Sequence, residues 1–331
     1  MNFEPCEEQQ ALLSAVVRFL SERMSLGRVR GSGDGTADSS WGDLAGLGLF
    51  ALTASPEAGG MGLSLADETL LFRELGRYLV TPCALATVIG RRVASLQGKH
   101  DLAARIMGGE CRIALGFERE PAIEPPGEFL VLVDAHRAEQ ILIVSKDRLT
   151  LIPRSELSTQ SCAEPLDESV AIETAALEQG ATNFVCSDRG TLLALATLAS
   201  AMLVGVAEAA LGAAVDYAKQ RQQFGVPVGS FQAIKHLCAD NAVRTDAAWS
   251  QTLWAALALQ ESARDAPMHA AAAILLADDA GRHAAQDNVQ IHGGMGFTAE
   301  CDAHRYVKRR HVLSRLATHC IDAHSLLLSG A

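Results

Sequence analysis

Apolar positions along the first hundred residues recur at helical spacing. From Glu7 to about Arg23, Leu12, Leu13, Val16, Phe19 and Leu20 fall on one face, which predicts an amphipathic helix. The polar, glycine-rich stretch RGSGDGTADSS, residues 30–40, breaks the pattern and predicts a loop. Between Trp41 and Val80 a short helix, an apolar segment and a Pro56-Glu57-Ala58-Gly59-Gly60 turn lead into a second amphipathic helix. Ser64 stands just ahead of that helix as its cap, and Asp67 and Glu68 lie in its first turn, where negative charge suits the helix dipole. Two further helices are predicted, over Pro82–Leu96 and on to about Met107.

After Gly108-Gly109 the period changes. The runs CRIALGF, FLVLVD, QILIVS and RLTLIP mix β-branched and apolar residues between charged, Pro and Gly breaks, as short strands do. From Thr191 long helical patterns return: Leu195, Leu198, Met202, Val206, Ala210, Ala213 and Tyr217 step by three or four. Further helices are predicted from about Phe231 past Trp254, from Ala266 to about Val289, and from about Cys301 to Leu328. The expected fold is mainly α with a small β domain. Residues 1–109 form an N-terminal helical domain, 110–188 a reduced central β domain and 189–331 a C-terminal four-helix bundle.

Composition agrees with this reading and narrows the function. Hydrophobic residues make up 49% of the 331 positions and aromatics only 5%, a balance weighted to Ala and Leu that favours helices. A formal net charge of −11 argues against broad attraction to nucleic acid or to an anionic membrane. The eight cysteines have no CxxC pair and no metal-ligand spacing with His, so reduced thiols in a cytoplasmic protein are expected. The N-terminus is acidic where a signal peptide would be basic, and the apolar run Leu192–Val206 is shorter than a bilayer-spanning helix needs, so no membrane insertion is expected. Lys308, Arg309, Arg310 and His311 form a tight basic run, which reads as a solvated helix face or as a surface for phosphate or CoA.

Two stretches carry candidate chemistry. In RQQFGVPVGSFQAIKH, residues 221–236, Arg221 offers forked donors suited to a phosphate, Phe224 a flat stacking face and Gln232 an amide able to read a heterocycle edge. The same stretch taken alone is also an ordinary connection between two helices. In QIHGGMGF, Gly293-Gly294 removes side chains where a helix ends, so that backbone amides can approach an anionic or planar ligand, with the polar tips of Gln290 and His292 alongside. Helix ends use glycine for capping as well.

Taken together, RxxFGxPxxxFQ and the later QIHGGxGF resemble the C-terminal domain of the acyl-CoA dehydrogenase flavoproteins, and LxxLGLFAL with PEAGGMGLS resembles their N-terminal domain. The order of helices, β domain and bundle is similar too. The resemblance implies an FAD shared across a subunit interface and contacted by Arg221, Phe224, Gln232, Gln290, Ile291, His292, Gly293 and Gly294. It implies an acyl-CoA substrate and an electron-transfer flavoprotein as acceptor.

The resemblance also exposes gaps. The family's chemistry needs a glutamate to take the α proton of the thioester. Counted without gaps, its usual place is Ala317, and the alternative place, in the helix before RxxFG, is Leu195; Thr318 and His319 stand where glycine and threonine would follow the usual base. The family's TEPxxGSD-like flavin loop is replaced by ALGFEREPAIEPPGEFLVL, and no tryptophan lies between Trp41 and Trp249. Such gaps are similar to those of the shorter subunit in α2β2 members acting on bulky steroid-CoA esters in the breakdown of steroid side chains, including those of cholesterol. The expected partner is therefore a longer, base-containing subunit, and this chain has no catalytic residue of its own. Two alternatives stand beside that expectation: a homo-oligomeric enzyme with a displaced base, for which Glu208, Glu300 or Asp216 are candidates, and a non-catalytic scaffold or regulator.

Overall fold

In the computed structural model the described residues are 5–26, 38–118, 129–162, 164–177 and 184–328. Residues 30–37 of the predicted loop lie outside them, as does the central part, 119–128, of the divergent loop, while residues 38–40 of the predicted 30–40 loop are helical.

The N-terminal helices are α1 (Glu7–Arg23), α2 (Asp38–Gly46), α3 (Leu65–Arg77), α4 (Cys83–Leu96) and α5 (His100–Met107). The first turn of α3 forms as its sequence dictates. Ser64 Oγ accepts the Asp67 amide at 3.2 Å, and the Asp67 carboxylate accepts the Ser64 amide at 2.8 Å, a reciprocal cap that fixes where the helix begins.

Seven strands follow: β1 (Ile113–Glu118), β2 (Phe129–Val133), β3 (Gln140–Ser145), β4 (Arg148–Pro153), β5 (Leu157–Ser161), β6 (Ile172–Leu177) and β7 (Phe184–Cys186). They form one sheet in the order β5-β6-β2-β1-β3-β4-β7. β1 pairs with β3 in parallel, Leu115 opposite Leu142, and the other neighbours are antiparallel. Strand β3 is buried on both faces, which explains its unbroken apolar run.

The C-terminal part is built on α6 (Arg189–Gln220), with α7 (Gln232–Gln260), α8 (Ala266–His292) and α9 (Ala303–His319) packed about it. The helix predicted over 301–328 is interrupted: α9 ends at His319, and a short α10 (Ala323–Leu328) starts after Asp322, whose carboxylate accepts the Ser325 amide at 3.1 Å. Asp188 caps α6 by accepting the Thr191 amide at 2.7 Å. Every residue from Thr191 to Ala207 is buried. The helix runs well past the apolar stretch and, at 32 residues, is long and apolar enough to cross a membrane; 94% of its most apolar window is buried inside the protein, which makes it a core helix.

Helices α3 and α6 touch backbone to backbone. A Cβ on Gly76 would lie 2.1 Å from the Met202 carbonyl oxygen, and one on Gly205 would lie 2.0 Å from that of Arg73. Only glycine allows this approach.

The centre of the basic run is packed rather than solvated: Arg309 and Arg310 are buried, Lys308 is half-buried and His311 is exposed. Arg309 is 1% exposed. Its Nε donates to Asp167 at 2.8 Å, Nη2 to Ser169 Oγ at 2.6 Å, and Nη1 to the carbonyls of Leu79 and Val80 at 2.5 and 2.7 Å. Lys308 pairs with Glu168 at 2.7 Å and Arg310 with Asp278 at 2.6 Å. One helix thereby ties the loop before β6 and the C-terminal end of α3 to the bundle. The run looked like a surface in sequence because charged side chains are seldom fully buried unless paired, and these partners lie far away along the chain.

Candidate functional site

Helix α6 ends at Gln220, and the chain turns at once into a two-stranded hairpin, Gln222–Gln223 against Val226–Pro227. The turn residues Phe224 and Gly225 have φ of 54° and 80°. Positive φ at both positions is the geometry that matches hairpin twist, and glycine suits it. Phenylalanine does not: a left-handed backbone at a residue bearing a Cβ costs about 1–2 kcal/mol. The Phe224 ring is nevertheless 91% exposed. Its aromatic neighbour is Phe231, edge-on at 6.2 Å between ring centroids, itself 39% exposed.

Helix α8 stops at His292, where Gly293 takes φ 61° and ψ −140° and a 3-10 turn runs to Phe297. This conformation is open essentially to glycine alone. Gly294 differs in that its φ is not positive; at both glycines a Cβ would meet nothing within 4 Å. The fold around them leaves the space open.

A small second core brings hairpin and glycine turn together. Ile291, Ala214 and Ala218 are buried against Tyr217, Val228, Ile234, Leu237 and Cys238. The Tyr217 ring stacks on His292 at 4.0 Å. His292 Nδ1 meets the Asn288 carbonyl at 2.8 Å; since a carbonyl only accepts, Nδ1 carries the proton there and Nε2 is left free.

The predicted residues divide into two groups. Arg221, Phe224, Gln232, Gln290, Gly293 and Gly294 are exposed at this end of the bundle. Among the described residues no carboxylate pairs with the Arg221 guanidinium, so its donors are available. Ile291 points inward, 7% exposed, and His292 is half-buried under Tyr217, so both build the site through packing and backbone. Sequence reasoning missed Tyr217, which holds His292, and the exposed Met295 and Phe297, at 48% and 81%. The signal for Phe297 was present: a large aromatic just after three glycines is poorly placed to enter a core.

The base positions hold no carboxyl group. Leu195 is fully buried in α6, and Ala317 lies in α9. Of the displaced candidates, Glu208 is forked onto Arg73 at 2.8 and 2.5 Å. Asp216 and Glu300 are exposed, and the Glu300 carboxyl is held below its ordinary value by its own backbone and by Thr298. Glu208 is thus engaged by a guanidinium, and the other two lie at the surface. Burial pushes the Glu74 carboxyl up, outweighing the opposing charges of Arg77 and Arg73. Among the described residues no group of His, Cys, Asp and Glu is arranged to hold a metal ion.

Comparison with known proteins agrees with this architecture. Residues 189–316 match the model of the acyl-CoA dehydrogenase C-terminal domain and residues 6–104 that of the N-terminal domain. The acyl-CoA dehydrogenase IpdE2 of Mycobacterium tuberculosis is 32% identical over 94% of this chain and 93% of its own length. Among solved structures, the ChsE4-ChsE5 complex from Mycobacterium tuberculosis superposes with a TM-score of 0.83 at 20% identity, over 99% of this chain and 97% of the other. A steroid acyl-CoA dehydrogenase variant, Tcur3481-Tcur3483, superposes with a TM-score of 0.79 at 24% identity, over 98% and 96%. With both terminal domains matched and a relative aligned over nearly its whole length, this chain belongs to the acyl-CoA dehydrogenase family of flavoprotein oxidoreductases.

Proposed function

We propose that the chain is one subunit of a two-component FAD-dependent acyl-CoA dehydrogenase, contributing nucleotide contacts to an FAD held mainly by a longer partner that also supplies the catalytic glutamate. Phe224 carries this reading. A strained left-handed aromatic, almost wholly exposed, gains from its own fold only the edge contact with Phe231 among the described rings, whereas a flat ligand or a second chain laid on it would gain stacking area. The surrounding groups fit the nucleotide end of FAD: the Arg221 guanidinium, unpaired among the described residues, suits a pyrophosphate, Gln232 and Gln290 present amides, and the Gly294 backbone can be approached without hindrance. An FAD held there would supply the acceptor for the hydride that leaves the β carbon of the acyl group. The chain's own part is to bind and orient, since Leu195 and Ala317 cannot take the α proton.

An α2β2 assembly, residues 1–109, 110–188 and 189–331 as its domains, a cytoplasmic site of action and an electron-transfer flavoprotein as acceptor belong to the same proposal. For substrate we infer a CoA ester with a bulky ring system, from the likeness to a structure described as a steroid acyl-CoA dehydrogenase.

The test is a flavin count on the chain purified alone and co-expressed with a longer homologue that has a glutamate base. The expected outcome is little flavin on the lone chain, fewer flavins than chains in the complex, and turnover in the complex alone. A lone chain that holds a full complement of FAD and oxidises an acyl-CoA sinks the reading. Arg221→Ala should lower the flavin content of the complex about ten- to hundred-fold in affinity, the worth of a lost hydrogen bond to a charged group; an unchanged flavin content would point to a scaffold.

A further inference from the structure

A second cluster, unconnected with the hairpin end of the bundle, lies where α3 and α4 meet the segment before α3. Glu68 is fully buried and Arg91 is 4% exposed, while the Arg92 side chain retains 19% exposure. Arg92 Nη2 pairs closely with Glu68 Oε2. The Thr53 hydroxyl accepts from Arg91 Nη2 at 2.9 Å and from Arg92 Nη2 at 3.2 Å, and stands 3.4 Å from Glu68 Oε1, to which it donates. Two guanidinium groups thus converge on one neutral oxygen, with a single carboxylate between them.

The donor account does not close. A guanidinium has five N–H groups. Among the described residues, Arg91 donates one hydrogen bond, and the Nε atoms of both Arg91 and Arg92 are buried without a partner. Arg309 is the internal reference, since it is as deeply buried and spends its donors on four acceptors, one of them a carboxylate. Arg154 and Arg310 also have a buried Nε without a partner, but each pairs with a carboxylate, whereas among the described residues Arg91 pairs with none and donates only to the neutral Thr53 hydroxyl. The charges that act on Arg91 are Arg92, which opposes its ionised form, and Glu68, which favours it, so the cluster carries a net positive charge. Two guanidinium groups with a single carboxylate between them leave buried donors that an anion can accept.

We propose that Arg91, Arg92 and Thr53 form a binding site for a small oxyanion, a carboxylate or phosphate group that enters beside the partly exposed Arg92. Two acceptor oxygens on one ligand match forked donors, and charge-assisted bonds of that type are the strong ones. Glu68 then competes with the ligand for the same guanidinium groups.

That competition supplies a test with opposite signs. Binding of acetate and of inorganic phosphate to the purified full-length chain is measured by calorimetry, with matched chloride as the ionic-strength control. Saturable binding is expected, weakened about tenfold or more in Arg91→Gln and strengthened in Glu68→Gln. Should Arg91→Gln fail to fold, the more exposed Arg92→Gln gives the same readout. Succinyl-CoA and butyryl-CoA separate the sources of the anion: binding of acetate or phosphate alone identifies a free ion, and binding of succinyl-CoA but neither butyryl-CoA nor acetate identifies a carboxylate carried by a thioester. No saturable binding of any of these anions, or binding that is unchanged in the arginine variants, overturns the proposal.

Discussion

Replacing Arg309 by methionine tests how the three parts of the chain are held together. The substitution keeps most of the side-chain volume and removes the charge. It strips the donor from Asp167, which is 4% exposed, and from Ser169 and the carbonyls of Leu79 and Val80. Leaving one partner of a buried ion pair uncompensated typically costs about 3–5 kcal/mol. Leu79 adds to this, because its φ of 50° is an unfavourable backbone that the Arg309 contact helps to hold. Against a total stability of about 5–15 kcal/mol, the loss is large. In urea it should lower the midpoint by about 1 M or more.

The double variant Arg309→Met/Asp167→Asn should recover at least about 1 kcal/mol, because the orphaned charge is gone. The effect should also depend on pH. Burial by itself pushes the Asp167 carboxyl up, but the Arg309 charge and hydrogen bonds from Ser169 and Arg309 bring it below its ordinary value. A lowered carboxyl contributes stability that is present above its unfolded value and lost as pH falls through its folded one. The gap between wild type and Arg309→Met should therefore narrow in acid. A single variant within about 0.5 kcal/mol of wild type at neutral pH would refute the reasoning.

Three other outcomes are expected. Gly294→Ala should leave the unfolding midpoint unchanged, since a Cβ there meets nothing, yet reduce flavin in the co-purified complex; a loss of stability without loss of flavin would contradict this. Phe224→Asn should stabilise the isolated chain by about 1 kcal/mol by easing the left-handed turn while weakening flavin retention in the complex, as read by denaturant titration and absorbance. Burial pushes the Asp134 carboxyl up, against the pull of Thr81, Ala171 and Arg309, so the stability linked to it is present below its unfolded value and lost as pH rises through the folded one. Asp134→Asn should remove that slope, seen by comparing urea midpoints at about pH 5 and about pH 8.

The sequence was most readable where the cause of a structure is local. Ser64 and Asp67 sit three residues apart and cap α3 by themselves, and the glycine pair marks the end of α8 whatever surrounds it. The β segment was legible as strands, but the parallel pairing of β1 with β3 was not, because pairing partners are chosen by the whole sheet. Phe224 was read as a stacking face, yet its left-handed turn was hidden, since phenylalanine is not a turn residue. That Ile291 and His292 turn inward was hidden for a related reason: one face of α8 packs on α6, and only the fold decides which. Arg309 was the hardest case, its carboxylate lying 142 positions away.

The burial of α6 has a consequence for biosynthesis. That helix leaves the ribosome before α8 and α9, the segments that later cover it, have been made. Throughout that interval the nascent polypeptide displays a greasy segment long enough to be mistaken for a bilayer anchor. Its safe passage into the folded state rests on prompt docking against the already completed α3, which the bare backbone at Gly76 and Gly205 permits without waiting for the rest of the bundle.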